Sequence, residues 1–204
     1  KNGITAYEAN PLTVVGIEKI QYKIGSDPYQ DCQNPFVVPR MATVKFKGEL
    51  EVNLSGTELN VGDIAPVVTG VGADLSDITI GGQRGMAQVI IAVPSLDTGV
   101  CAAEARRFNV EASKLDHVEV VIVSMDLPFA MKRFCTTEGI ENLKVASDFR
   151  AKAFAKSYGV LQANGPLAGL TARAVFIVNP SGKITYKEIV PEIIFFGILF
   201  LIEH

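Results

Sequence analysis

Three cysteines and two histidines set the chemistry open to this chain. The histidines are His117, at the head of an apolar strand-like run, and His204. A hydrolase of the Cys–His or Ser–His kind needs an imidazole held beside its nucleophile, and neither histidine stands in a pattern that supplies one. Zinc is no better served, because Cys32, Cys101 and Cys135 form no close pair such as C-x2-C. Neither G-x-x-x-x-G-K-[ST] nor G-x-G-x-x-G occurs, so no phosphate cradle is indicated. No metal and no cofactor is therefore expected. What remains is thiol redox chemistry, which needs neither.

Cys101 is the strongest candidate thiol. The apolar run Val89–Val93 ends at Pro94, and Ser95–Val100 leads into a stretch whose apolar residues recur three and four apart. Asp97 or Thr98 can cap a helix there, which places Cys101 in its first turn. Unpaired backbone N–H groups and the positive end of the helix dipole then favour thiolate over thiol. Thr98 lies three residues earlier, so its hydroxyl falls on the sulfur's side of the turn and can donate to it. Lowering a thiol pKa from about 8.5 to about 6 raises the thiolate fraction at pH 7 from roughly 3% to roughly 90%. That gain corresponds to only about 2 kcal/mol, and a more acidic thiol is a poorer nucleophile. Fast attack on an O–O bond also needs donors fixed on the peroxide oxygens, a role that suits a guanidinium. Free cysteine is nonetheless among the most buried residue types. Helix position alone leaves a structural reading of Cys101 beside the reactive one, and the structural reading is stronger for Cys135.

The elements that must position this thiol follow from patterning. The chain has 204 residues and a formal charge of −3, a balance that argues against a nucleic-acid binder. Hydrophobic residues make up 48% and charged residues 20%, which excludes a disordered class. Thr43–Phe46 and Leu50–Asn53 alternate around Lys47-Gly48, which predicts a short hairpin. Val89–Val93 and His117–Val123 read as buried strands. Thr98–Leu115, Pro128–Cys135 and Phe149–Tyr158 read as helices, the last ended by Gly159. Ala174–Val178 and Lys183–Ile189 flank Asn179-Pro-Ser-Gly as strand, turn, strand. Strands alternating with helices predict an α/β sheet covered on its faces. Residues 1–40 are turn-rich, with only Leu12–Ile24 suited to a strand pair and no signal-peptide pattern, so a cytoplasmic location is expected. The run Ile193–Ile202 has nine apolar residues in ten, too short to span a bilayer as a helix, so no membrane association is expected.

Four ordered motifs carry a family likeness. Pro94-Ser-Leu-Asp-Thr-Gly-Val-Cys101 resembles the P-x-x-x-[TS]-x-x-C motif of peroxiredoxins, and Pro94–Phe108 as a whole looks like the thiol peroxidase subfamily, the atypical two-cysteine peroxiredoxins. Gly62-Asp-Ile-Ala-Pro66 is similar to the family's early G-D-x-A-P segment. Asp126-Leu-Pro-Phe-Ala-x-x-Arg-Phe-Cys135 resembles its resolving-cysteine helix, and Pro166–Val175 the loop and strand that deliver its arginine. The likeness runs from Met41 to Glu192. It implies a thioredoxin-like fold, a central mixed sheet flanked by helices with an N-terminal β-hairpin. It also implies peroxidase activity on hydroperoxides including alkyl ones, recycling by thioredoxin, and a homodimer.

Carried over, the resemblance makes Cys101 the peroxidatic nucleophile and Thr98 the hydroxyl that orients thiolate and peroxide. Pro94 shields the pocket, and Arg173 lowers the Cys101 pKa and polarises the peroxide. Composition alone would make Arg173 a solvated strand residue. Cys135 becomes the resolving thiol of an intramolecular disulfide, formed with local unfolding around both cysteines. Residues 1–40, with Cys32, have no counterpart in the family, and an apolar tail at 193–204 stands where the family continues with a polar stretch and a closing helix. That exchange predicts poor solubility or association. Two other readings stand beside the peroxidase. A protein dithiol-disulfide oxidoreductase normally carries C-x-x-C, absent here, and a non-catalytic thioredoxin-fold binding or holdase module would keep the scaffold without turnover.

Overall fold

The computed structural model describes residues 42–192. The expected strand pair at Leu12–Ile24, Cys32 and the run Ile193–Ile202 lie outside them. A hairpin of β1 (Thr43–Phe46) and β2 (Leu50–Ser55) leads to β3 (Val68–Gly72), β4 (Asp77–Ile80) and β5 (Ala87–Ala92). Then come α1 (Gly99–Ala112), β6 (Val118–Ser124), α2 (Pro128–Glu138), β7 (Lys144–Ser147) and α3 (Ala153–Ser157). β8 (Leu161–Gln162), β9 (Ala174–Val178) and β10 (Ile184–Ile189) complete the order. Seven strands form a mixed sheet, β10-β9-β5-β6-β7-β3-β4, and β1-β2-β8 form a small antiparallel one. Among the described strands only β5–β6 and β6–β7 pair in parallel, each joined by a crossover helix.

The period of two in β5 sorts its side chains between two cores. Ile90 and Ala92 join Val121, Val123, Phe154, Tyr158 and Phe176 on one face. Ile91 and Val93 join Ile122, Phe108, Met131 and Phe134 on the other, which α1 and α2 cover. Phe154 belongs to α3 and Tyr158 is its C-cap, so helices flank the sheet on both sides. The two parallel crossovers have a consequence for chemistry: β5, β6 and β7 all end at one edge, where α/β sheets place their sites.

Two expectations need correction. The helix read over Phe149–Tyr158 is confined to Ala153–Ser157. The Asp148 carboxylate accepts hydrogen bonds from the N–H groups of Phe154 (3.0 Å) and Ala155 (2.9 Å), and Lys152 turns the chain with φ 52°. An aspartate that takes the first amides starts the helix where they are, not earlier. Patterning also passed over β3, β4, β7 and β8. β3 is Val-Thr-Gly-Val-Gly, a composition depleted in strand signal. Gly70 fits a close approach there, since a Cβ would stand 3.0 Å from that of Ala146 and 3.3 Å from the Ser147 carbonyl oxygen and would force a neighbour to give. Among the described residues no helix is long and apolar enough to cross a membrane.

Candidate active site

The loop after β5 builds the first half of the site. Pro94 is buried, and Thr98 is the N-cap of α1 in extended conformation. Its Oγ1 accepts a hydrogen bond from the Cys101 N–H at 3.4 Å and donates to the Ser95 carbonyl at 3.2 Å. The expected position of Cys101 in the first helical turn is therefore realised. Thr98 differs from expectation in one respect: its single proton is turned to Ser95 and not to the sulfur, because the cap needs the oxygen as acceptor while the preceding turn offers a carbonyl.

The second half arrives from 72 residues further along. Arg173, just before β9, is held by its own backbone and its neighbours. Its carbonyl accepts from Val190 N–H at 2.9 Å, and the Thr171 hydroxyl donates to the Val93 carbonyl at 2.5 Å. The guanidinium Nη2 donates to Cys101 Sγ at 3.2 Å. Both residues are 1% exposed. Arg173 is thus no solvated strand residue: it is buried against the thiol.

Glu104 is the partner that sequence reasoning missed. It sits one turn after Cys101 on the same helical face and pairs through Oε2 with Nη1 of Arg173. The other carboxylate oxygen, Oε1, has no hydrogen-bond partner. Burial pushes the Glu104 carboxyl above its ordinary range even though Arg173 pulls it down. A glutamate on an otherwise apolar helix face was the available signal, since a buried charge needs a buried partner.

Cys135 lies near the other end of a helix. Its carbonyl accepts the N–H groups of Gly139, left-handed at φ 64°, and of Ile140 at 3.0 Å, so α2 ends around it. The thiol is half-buried, and burial raises its pKa above the ordinary thiol value. Both described cysteines are free thiols. They border one apolar cluster, Cys101 inside it and Cys135 packed against it. Arg106 of α1 pairs with Glu138 of α2 at 2.6 Å, and Asn109 Oδ1 accepts from the N–H groups of Glu141 and Asn142 at 3.0 and 2.8 Å. Among the described residues no cluster of three or more metal-ligating side chains occurs.

A buried thiol at the start of a crossover helix, bonded to a buried guanidinium, is an arrangement suited to thiol redox chemistry. Residues 60–194 match the Redoxin family. A thiol peroxidase of Campylobacter jejuni is 56% identical over 153 residues, 75% of this chain and 86% of that protein. One from Aquifex aeolicus is 51% identical, covering 74% and 88%. A solved peroxiredoxin-like protein from Aquifex aeolicus superposes with a TM-score of 0.72 at 51% identity, over 75% of this chain and 89% of that one. The chain belongs to the redoxin family, and within it is a thiol-based peroxidase on the thioredoxin-like fold. A thiol peroxidase from Chromobacterium violaceum, 21% identical with a TM-score of 0.68 over 76% of this chain and 89% of that one, shares the fold.

Proposed function

We propose that residues 41–192 form a peroxidase domain in which Cys101 is the peroxidatic thiol and Cys135 the resolving one, acting on hydrogen peroxide and alkyl hydroperoxides. The observation that carries this is the 3.2 Å contact from Arg173 Nη2 to Cys101 Sγ between two fully buried side chains. A fixed cation at that distance stabilises negative charge on sulfur and on oxygen developing beside it. Pro94 closes the site against water. The sulfur attacks the nearer peroxide oxygen, the O–O bond breaks, and the leaving oxygen departs as alcohol or water after taking a proton. Cys101 becomes a sulfenic acid.

Resolution then joins Cys101 to Cys135. The Cys135 thiol loses its proton, its sulfur displaces the sulfenic oxygen as water, and a disulfide forms. Such a bond needs Cα atoms within about 7 Å, and the two thiols belong to different helices, so the first turn of α1 and the last turn of α2 unwind. Thioredoxin restores the dithiol in two exchanges. One of its thiolates attacks the more accessible Cys135 sulfur and expels Cys101 as thiolate; its second thiolate then attacks the mixed disulfide, releases Cys135 and leaves thioredoxin as its own disulfide. Leu127, Phe129 and Phe149 are exposed large apolar side chains in the segments that follow β6 and β7, which supports their cover by a second copy in a homodimer. The cytoplasm, where thioredoxin keeps such thiols reduced, is the compartment that fits.

The test is peroxide consumption by the full chain with thioredoxin, its reductase and NADPH. Sustained turnover, with a Cys101–Cys135 linked peptide in the peroxide-treated protein, is expected. Insulin reduction without peroxide consumption would transfer the chain to dithiol exchange, and peroxide consumption without the linked peptide would remove Cys135 from the cycle.

A further inference from the structure

A half-buried carboxylate outside the sulfur–guanidinium contact ties the loop that leads into α1 to the loop that leads into α2. Asp126 Oδ1 accepts from the Ser95 hydroxyl at 2.7 Å, and Oδ2 accepts from the Leu96 N–H at 2.7 Å and the Ser124 hydroxyl at 2.8 Å. Ser95 in turn receives the Asp97 N–H on its hydroxyl at 3.2 Å and both donors of Thr98 on its carbonyl, at 3.2 and 3.3 Å. Thr98 caps α1 and binds the Cys101 N–H. On its other side Asp126 is one residue from Leu127, the N-cap of α2, whose N-terminus has no side-chain cap. The Asp126 backbone is itself anchored, its carbonyl accepting from the Ser147 hydroxyl at 2.6 Å and its N–H donating to Ser124 Oγ at 3.2 Å.

We infer that Asp126 is a clasp between the Cys101 loop and the start of α2, a positioning residue that sets how readily the two helices open together. Each bond it makes to the Ser95–Leu96 turn holds α1 in the folded form that keeps Cys101 against Arg173. The same bonds resist the unwinding that brings Cys101 to Cys135. The clasp therefore governs a branch point. The Cys101 sulfenic acid either condenses with Cys135, releasing water, or reacts with a second hydroperoxide, which transfers one oxygen, leaves as alcohol or water, and yields the sulfinic acid. A tighter clasp prolongs the life of the sulfenic acid and favours the second outcome. The branch rests on the Cys101–Cys135 cycle proposed above; the clasp itself is read without turnover.

Amide hydrogen exchange of the reduced full chain therefore comes first, on wild type, Asp126→Asn and Ser95→Ala. Asp126→Asn is expected to speed exchange about tenfold, equivalent to about 1.4 kcal/mol, in peptides covering both 95–101 and 127–135. Ser95→Ala, which removes one of the three bonds to the carboxylate, is expected to give a smaller rise in the same two segments. Under graded peroxide, mass spectrometry should then find less Cys101 sulfinic acid and more disulfide in Asp126→Asn than in wild type. A rise confined to 95–101 overturns the clasp, as does a lowered melting temperature with an unchanged sulfinic-to-disulfide ratio. Should Asp126→Asn fail to fold, Ser95→Ala decides by the response of 127–135, a segment its side chain does not touch. If wild type forms no disulfide at all, the cycle fails while the exchange result still stands or falls alone.

Discussion

Cys101 and Cys135 lie on neighbouring helices over the same face of one sheet, yet α1 and α2 present them in opposite ways. Cys101 is in a first turn, below a threonine cap, 1% exposed and bonded to a cation. Cys135 is in a last turn, half-buried, with no charged partner in its own hydrogen bonding and its pKa pushed up by burial. The positive end of one helix dipole and the negative end of the other add to the contrast. Identical side chains thus differ by position alone: one sulfur lies buried against a guanidinium, while burial without a cation pushes the other thiol's pKa up.

The sharpest way to break that contrast is to delete each sulfur in turn. Cys101→Ser should reduce peroxide consumption to background, whereas Cys135→Ser should consume one equivalent at the wild-type rate and then stop. A stopped-flow trace with a single equivalent of peroxide separates the two, and equal loss in both variants would mean the thiols are not specialised. Removing the cation comes next. Arg173→Ala should lower the second-order rate with peroxide by about 10²–10³, the range found when one preorganised donor to developing charge is removed. Arg173→Lys should recover only part of it, because an ammonium cannot engage sulfur and Glu104 with one planar fork.

Glu104→Gln probes the support behind the cation, with an expected loss in the same rate of about tenfold, the scale of one charge-assisted hydrogen bond. It also has a signature in stability. The Glu104 carboxyl titrates above its ordinary range in the folded chain, so between the ordinary and raised values the native form holds a proton that the unfolded form lacks. Its contribution to stability therefore falls as pH rises through that window, and denaturant midpoints against pH should be flatter there in Glu104→Gln. The smallest effect is expected at Arg106→Ala. Its pairing with Glu138 joins α1 to α2 at the surface, with side chains 49% and 28% exposed, and should contribute less than about 1 kcal/mol in a melting experiment.

Local chemistry was legible wherever it depended on near neighbours in the chain. The cap at Thr98, the first-turn position of Cys101, the apolar strands around Val89–Val93 and His117–Val123, and the hairpin at Lys47-Gly48 all follow from short-range spacing. β3 was not legible, because its glycines answer to close neighbours, Ala146 at Gly70 and Asp74 and Ile78 at Gly72, and not to any preference of their own. The short α3 was hidden for a related reason: Asp148 reaches six and seven residues ahead to take the Phe154 and Ala155 amides. Within the site, Glu104 and Asp126 are ordinary helix and loop acids until their partners are seen. Asp126 even stands inside a quoted motif, but nothing in its neighbourhood announces the Ser95–Leu96 turn it binds thirty residues away.

Read alone, the order of residues determined which sulfur opens a helix and which strands are buried, since both are set by hydrogen-bonding and side-chain periods that repeat within a few positions. The tertiary structure decided what faces that sulfur. An antiparallel pairing of β9 with β5, Ala174 opposite Ala92, brings Arg173 to the end of the strand that precedes Cys101. Strand register over such separations depends on the packing of the whole sheet, and so the guanidinium, its buried carboxylate and the loops tied by Asp126 meet only when the chain is folded.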